Sequence, residues 1–218
     1  MADVIDLINA MHRQVRDTET PKGTGRSIVM RRTYDAAVHD VWEACTDPER
    51  LGRWFLPVTG ELKPGGRYQL EGNAGGEVLR CEPPRLLRVS WIFGEPKEGD
   101  LSEVEVRLTP EGEERTLLEL EHTAIVDPAF WDTYGPGATG VGWDLGLVSL
   151  SMYLTEGEAF DREATQAWSE SEEARLFLAA SSEAWGKANA DYGTPAGTVA
   201  AMTSATTDFY VPKPSSDS

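Results

Sequence analysis

Apolar positions change their period along the chain, and each change marks a new element. Val4, Leu7, Ile8, Met11 and Val15 fall at i, i+3, i+4, i+7 and i+11, so residues 3–16 are expected to form an amphipathic helix capped by Asp3. Asp17–Gly25, with Pro21, Gly23 and Gly25, reads as a linker. From Arg26 the period becomes two: Ile28, Met30, Arg32 and Tyr34 alternate with Val29, Arg31 and Thr33, which predicts a strand. Two short helices follow. Val38, Val41, Trp42 and Cys45 share one helical face, and Asp47-Pro48 caps a second helix over Glu49–Trp54. Strand-like runs come next at Arg67–Glu71, Gly76–Glu82, Leu86–Phe93, Leu101–Thr109 and Arg115–Thr123. Pro64-Gly65-Gly66, Asn73-Ala74-Gly75-Gly76, Pro83-Pro84, Glu95–Gly99 and Glu111-Gly112 separate them, so the sheet should be an antiparallel meander.

The predicted sheet has one apolar face. Val89, Trp91 and Phe93 alternate in one strand, Val104, Val106 and Leu108 in the next, and Leu118, Leu120 and His122 in the last. Arg88, Glu103, Glu105, Arg107, Glu119 and Glu121 take the other face, which can meet water. A cover is supplied by Gly140–Thr155, a helix with Trp143, Leu147, Leu150 and Leu154 on one stripe. Leu145, Val148 and Met152 widen that stripe, so the helix should be buried on most sides. Further on, Ser169-x-x-Glu172 reads as a capping box opening a helix with Phe177, Leu178, Ser181, Trp185 and Tyr192. Thr194-Pro195 caps a last helix with Val199, Met202, Thr206 and Phe209. The fold class is α+β, divided into residues 1–22 (helix and linker), 23–158 (sheet and long helix), 159–210 (helical extension) and 211–218 (a disordered tail).

Composition narrows the function. Thirty-seven acids against twenty bases give a net charge of −17, which argues against nucleic-acid or anionic-membrane partners. No apolar run is long enough to cross a bilayer, acids replace the positive charge of a signal peptide near the start, and two cysteines make no disulfide framework. A cytoplasmic protein is expected. The three histidines have no ligand spacing among them, so neither a metal nor any other cofactor is expected. Gly135-Pro136-Gly137-Ala138-Thr139-Gly140 matches G-x-G-x-x-G but follows no strand, and it reads as a flexible entry to the long helix.

Tyr34–Trp42, Thr46–Leu51, Trp54-Phe55, Gly65–Tyr68, Gly76-Glu77, Pro83–Leu87, Trp91, Leu120–His122 and Gly142-Trp143 together resemble the SRPBCC superfamily. The likeness is to its bacterial branch named after the C-terminal domain of the Hsp90 ATPase activator, over about residues 26–156. The resemblance implies a helix-grip fold, a curved antiparallel sheet wrapped around a long C-terminal helix with a cavity between. It supplies no role for residues 3–16 or 160–210.

Candidate site residues follow from both lines. His122 lies on the apolar face, either as a hydrogen-bonded core histidine or as a polar group of a cavity. Trp54, Phe55, Tyr68, Trp91, Phe93 and Trp143, with Leu120 and Leu147, are either core or the wall of a site for a small, largely apolar ligand. The resemblance also implies an enzymatic version, a cyclase or hydrolase acting on a polyketide-like substrate as in some superfamily members, which would use His122 with Tyr68 as acid and base. A co-chaperone-like interaction module, like the Hsp90 activator, is the third reading that the resemblance implies. Phe130, Trp131 and Tyr134 either form a lid or pack under the C-terminal helices, and those helices favour a homodimer. The run Glu156–Glu173 reads as a solvated surface, and Cys45 and Cys81 as inert thiols.

Overall fold

Charged and apolar residues alternate through most of the chain's first half, and there they build strands rather than helices. The computed structural model describes residues 4–95, 99, 101–157 and 167–211. The strands are β1 (His12–Thr20), β2 (Gly23–Tyr34), β3 (Val58–Gly60), β4 (Arg67–Leu70), β5 (Gly75–Glu82), β6 (Leu86–Ser90), β7 (Ser102–Pro110) and β8 (Thr116–Ala124). They form one sheet in the order β1-β2-β8-β7-β6-β5-β4-β3. The helices are α1 (Val4–Asn9), α2 (Val38–Thr46), α3 (Pro48–Trp54), α4 (Pro128–Tyr134), α5 (Gly137–Glu156), α6 (Glu172–Asp191) and α7 (Ala196–Tyr210). Among the described residues no helix is long and apolar enough to cross a membrane.

The N-terminal expectation is corrected. The helix stops at Asn9, and the predicted linker is the β1–β2 hairpin turning at Pro21-Lys22. Residues 12–20 read HRQVRDTET, a polar and β-branched run, and the apolar positions Met11 and Val15 suit a strand edge as well as a helix. Two caps also differ. Ser171, not Ser169, accepts the backbone N–H of Ala174 at the start of α6. Thr194 donates to Asn189 Oδ1 at 2.7 Å and does not cap α7. Asp47 caps α3 as expected, and Asp127 caps α4, each with proline at the first turn. The acidic run through 158–166, the turn at 96–98 and the tail beyond Val211 lie outside the described residues.

The chain divides into two compact units. The sheet unit comprises Arg16–Ile125 and Gly146–Phe160. Register in it fixes two faces: Ile28, Met30 and Arg32 on β2 stand opposite His122, Leu120 and Leu118 on β8, which stand opposite Val104, Val106 and Leu108 on β7. The C-terminal half of α5 covers this face, because the Tyr34 hydroxyl donates to the Leu147 carbonyl at 2.9 Å and Arg32 donates to Ser151 Oγ at 3.1 Å. The opposite face carries Arg16–Glu121, Arg31–Glu119, Arg88–Glu103 and Arg107–Glu105 ion pairs. Such partly exposed pairs add little stability individually. All but the Arg31–Glu119 pair line a polar groove of about 310 Å³, through Arg16, Arg88, Arg107, Glu103, Glu105 and Glu121.

The helical unit comprises Met1–Val15, Val126–Leu145 and Asp161–Ser218. Its core is α6, which buries Phe177, Leu178, Ser181 and Trp185. Glycines in the first turn of α5 serve close packing. A Cβ on Gly140 would overlap the Trp185 ring, and one on Gly137 would stand 2.5 Å from Thr206 Oγ1. At the centre Asp144, fully buried, accepts from Arg13 Nε (3.0 Å), Ser181 Oγ (2.5 Å) and Trp185 Nε1 (3.1 Å). Arg13 in turn donates to the carbonyls of Ile8 and Met11, pinning the end of α1.

Candidate functional site

On the covered face of the sheet unit, four rings form a row. The Asp47 cap starts α3, the helix ends at Trp54, and the Trp54 indole N–H donates to the Ala44 carbonyl at 2.8 Å. That bond holds Trp54 beside Phe55, with ring centroids 5.4 Å apart. Phe55 stands 6.4 Å from Trp91, and Trp91 stands 6.4 Å from Tyr68. Helix α5 meets this row at Gly146, where a Cβ would lie 3.4 Å from Phe55 Cε2. The Tyr68 hydroxyl donates to the Ser90 carbonyl at 2.7 Å, and burial pushes its pKa up.

Most of this surface is only half-buried. Trp54, Phe55, Tyr68 and Trp91 remain partly exposed. So do Leu87 and Val106, although they pair with each other and with Leu120 on the covered face of central strands. An apolar side chain in the middle of a covered face is ordinarily sealed, so partial exposure there means open apolar surface. Leu120 and Leu147 are sealed beneath it, each 3% exposed.

His122 closes one end of the face. Its Nε2 lies 2.8 Å from Ser102 Oγ, a diagonal neighbour across β7–β8, and burial pushes its pKa down to about 4. The imidazole is therefore neutral at pH 7. Unfolding restores an ordinary histidine that binds a proton more tightly, so stability from neutral His122 is complete above about pH 6.5 and falls as pH drops toward 4. The loss is expected to reach about 3 kcal/mol. Chemical unfolding of wild type and His122→Gln across that window checks it: the variant should lose less stability on acidification, and parallel curves would refute the assignment.

Two candidates fall outside the row. Phe93 is 66% exposed, because β6 ends at Ser90 and the alternation that placed Phe93 on the apolar face stops there. Trp143 is half-buried and belongs to the helical unit. Ser102 and Arg32 were not singled out as site residues. Arg32 had a signal, a cation in the inward series Ile28, Met30, Arg32, Tyr34, and it is buried with its guanidinium 5.6 Å from the Tyr34 ring. Ser102 had none beyond its place at a strand start. Among the described residues no His, Cys, Asp and Glu cluster suits a metal ion. Cys45 and Cys81 are free, and burial pushes the Cys45 thiol up to about 12 and raises that of Cys81, which keeps both protonated. Phe130 packs against Tyr134, Tyr134 meets Phe209 of α7 edge-on, and Trp131 is buried, so this segment packs with the C-terminal helices.

Comparison with known proteins adds to this geometry. The profile of the family described as activator of Hsp90 ATPase homolog 1-like protein matches residues 35–155, more than half of the chain. A search of curated proteins gives no match. The crystal structure of CalU16 from Micromonospora echinospora is 38% identical with a TM-score of 0.63, covering 85% of this chain and 99% of CalU16. DynU16, a protein in the dynemicin biosynthetic locus, is 26% identical with a TM-score of 0.53 over 61% of this chain and 48% of its own, so this chain spans about half of DynU16. An Hsp90 activator from Plasmodium falciparum, 24% identical with a TM-score of 0.52 over 61% of this chain and 96% of its own, shares the fold. With its family profile, a 38% identical relative aligned almost end to end, and a sheet gripping a long helix, the chain belongs to the activator of Hsp90 ATPase homolog 1-like family of the SRPBCC superfamily.

Proposed function

We propose that the sheet unit binds a small, largely apolar molecule in a cavity between the sheet and the long helix, against Trp54, Phe55, Tyr68, Leu87, Trp91 and Val106. The carrying observation is that these inward apolar side chains stay partly exposed. Covering them would yield about 25 cal/mol for each Å² removed from water. Ser102, partly exposed beside neutral His122, offers a hydrogen bond at one end of this surface. Likeness to DynU16, from a biosynthetic locus, supports a small organic ligand. Two free thiols fit a cytoplasmic setting, and a homodimer through the C-terminal helices belongs to the same proposal.

Acid–base catalysis by His122 and Tyr68 is less well supported. Burial moves the histidine down and the tyrosine up, both away from the neutral range where proton transfer is efficient.

Titration with the fluorescent apolar probe 8-anilinonaphthalene-1-sulfonate tests the binding reading. Wild type should bind one probe per chain with a saturable rise in fluorescence. Val106→Trp, which fills the open surface, should weaken that binding at least about tenfold, equal to 1.4 kcal/mol. Arg107→Ala, on the outer face, should leave it unchanged. Unsaturable binding, or equal binding by a folded Val106→Trp, would refute the reading.

A further inference from the structure

Ser102 opens β7 directly opposite Trp91. The Trp91 N–H donates to the Ser102 carbonyl at 2.7 Å, one step along from the Ser90–Glu103 pair, so both side chains leave the sheet on its inner face. The hydroxyl is therefore a neighbour of the ring that stands 6.4 Å from both Phe55 and Tyr68. The inner positions that follow on β7, Val104, Val106 and Leu108, are apolar, as are Leu118 and Leu120 before His122 on β8. Ser102 and His122 thus stand together at one end of an otherwise apolar stretch. Their exposure differs: His122 is buried, whereas Ser102 stays partly exposed. The 2.8 Å bond between His122 Nε2 and Ser102 Oγ holds the serine in place, and a serine hydroxyl has one donor and two acceptor positions. One bond to the imidazole leaves part of that capacity for whatever covers the apolar surface. If Nε2 accepts, the serine oxygen can still accept a second hydrogen; if Nε2 donates, the serine O–H can still donate.

We propose that Ser102 determines specificity at this surface: the bound molecule carries a hydroxyl that hydrogen-bonds Ser102 Oγ while its apolar body lies against Trp91. This rests on the binding reading above and adds what the ligand must carry. A hydroxyl both donates and accepts, so it meets the serine in either arrangement, whereas a carbonyl meets it in only one. An ionised group fits worse. Covering it needs a counter-charge, and the charged neighbours on these strands, Glu103 and Glu121, are engaged on the outer face with Arg88 and Arg16. A molecule with no polar group at this point would cover the serine hydroxyl without replacing its bonds to water, so the site should discriminate against it.

Displacement of bound 8-anilinonaphthalene-1-sulfonate by 2-naphthol and by 2-methylnaphthalene tests this, because the two compounds differ only in a hydroxyl against a methyl of similar size. On wild type, 2-naphthol should displace the probe at about tenfold lower concentration, equal to 1.4 kcal/mol, although the methyl compound is the more apolar. In Ser102→Ala, with unchanged circular dichroism, that preference should vanish or reverse. Ser102→Thr, which keeps a hydroxyl, should retain it. Equal displacement by the two compounds on wild type, or none, or a preference that survives in Ser102→Ala, would overturn the role of Ser102 and leave the binding reading standing. A probe that never binds saturably would overturn that reading, and the role of Ser102 with it.

Discussion

Asp144→Ala is expected to destabilise the protein by about 3–5 kcal/mol, a large fraction of the roughly 5–15 kcal/mol that holds a domain folded. Asp144 is sealed from solvent and serves three donors at once: the Arg13 guanidinium, the Ser181 hydroxyl and the Trp185 indole. Removing the carboxylate leaves the Arg13 charge buried, with its side chain 6% exposed, and without its counter-ion. It also leaves two neutral donors without their acceptor. The ion pair itself need not be strongly stabilising, because desolvation offsets much of its attraction. The signature is therefore a double-mutant cycle by urea unfolding: Asp144→Leu with Arg13→Met should be clearly more stable than Asp144→Ala alone. A double variant as damaged as the single one would contradict the view that the stranded arginine dominates the cost.

Gly140→Ala is expected to cost about 1–3 kcal/mol, at the upper end of that range, though alanine is ordinarily the better helix former by about 1 kcal/mol. The reason is steric. Gly140 lies in the first turn of α5 with the fully buried Trp185 ring against its Cα, and a Cβ there would overlap the ring. Trp185 has little freedom to yield, since its indole N–H is bonded to Asp144 and the Arg13 guanidinium stands 6.0 Å from its ring centroid. Gly197, near the start of α7, is the control, because nothing lies within 4 Å of a Cβ placed there. Thermal unfolding should show Gly140→Ala melting well below wild type and Gly197→Ala at or above it. Equal melting temperatures for the two variants would remove the steric account.

The sheet and its apolar face were legible because period-two patterns survive in chains whose strands are buried on one side. The rows Val104, Val106, Leu108 and Leu118, Leu120, His122 stand in register as their alternation implies. The helix-grip architecture was legible as well, from the broad apolar stripe of α5 and from the family resemblance. What misled was the N-terminal segment. Met11 and Val15 satisfy a helical spacing and are buried, yet pairing with β2 decides the local structure, and a single-segment pattern cannot register a pairing partner. Phe93 misled for a related reason, since alternation carries no signal for where a strand ends.

The candidate site was legible in its rings and its histidine but not in its polar detail. Trp54, Phe55, Tyr68 and Trp91 meet because the Asp47 cap, the close approach of Gly75 to Tyr68 and that of Gly76 to Ser90 bring α3, β4 and the end of β6 together, contacts that are long-range in sequence. Ser102 pairs with His122 only through the β7–β8 register. The Asp144 cluster did leave a trace, an acid within the apolar run GVGWDLGLVSL, and an ionisable residue in such a run is a sign of a buried partner. Its partners, spread from Arg13 to Trp185, become evident only once the chain is folded.

The most direct measurement is a native mass spectrum of gently purified wild-type protein, recorded again after denaturation. The account predicts an added mass of a few hundred daltons that disappears on denaturation and is lost or reduced in Val106→Trp, the proportions of an apolar molecule held in a cavity. A bare chain mass, together with no saturable uptake of the fluorescent probe, would contradict it and would make the partly exposed rings an ordinary core margin.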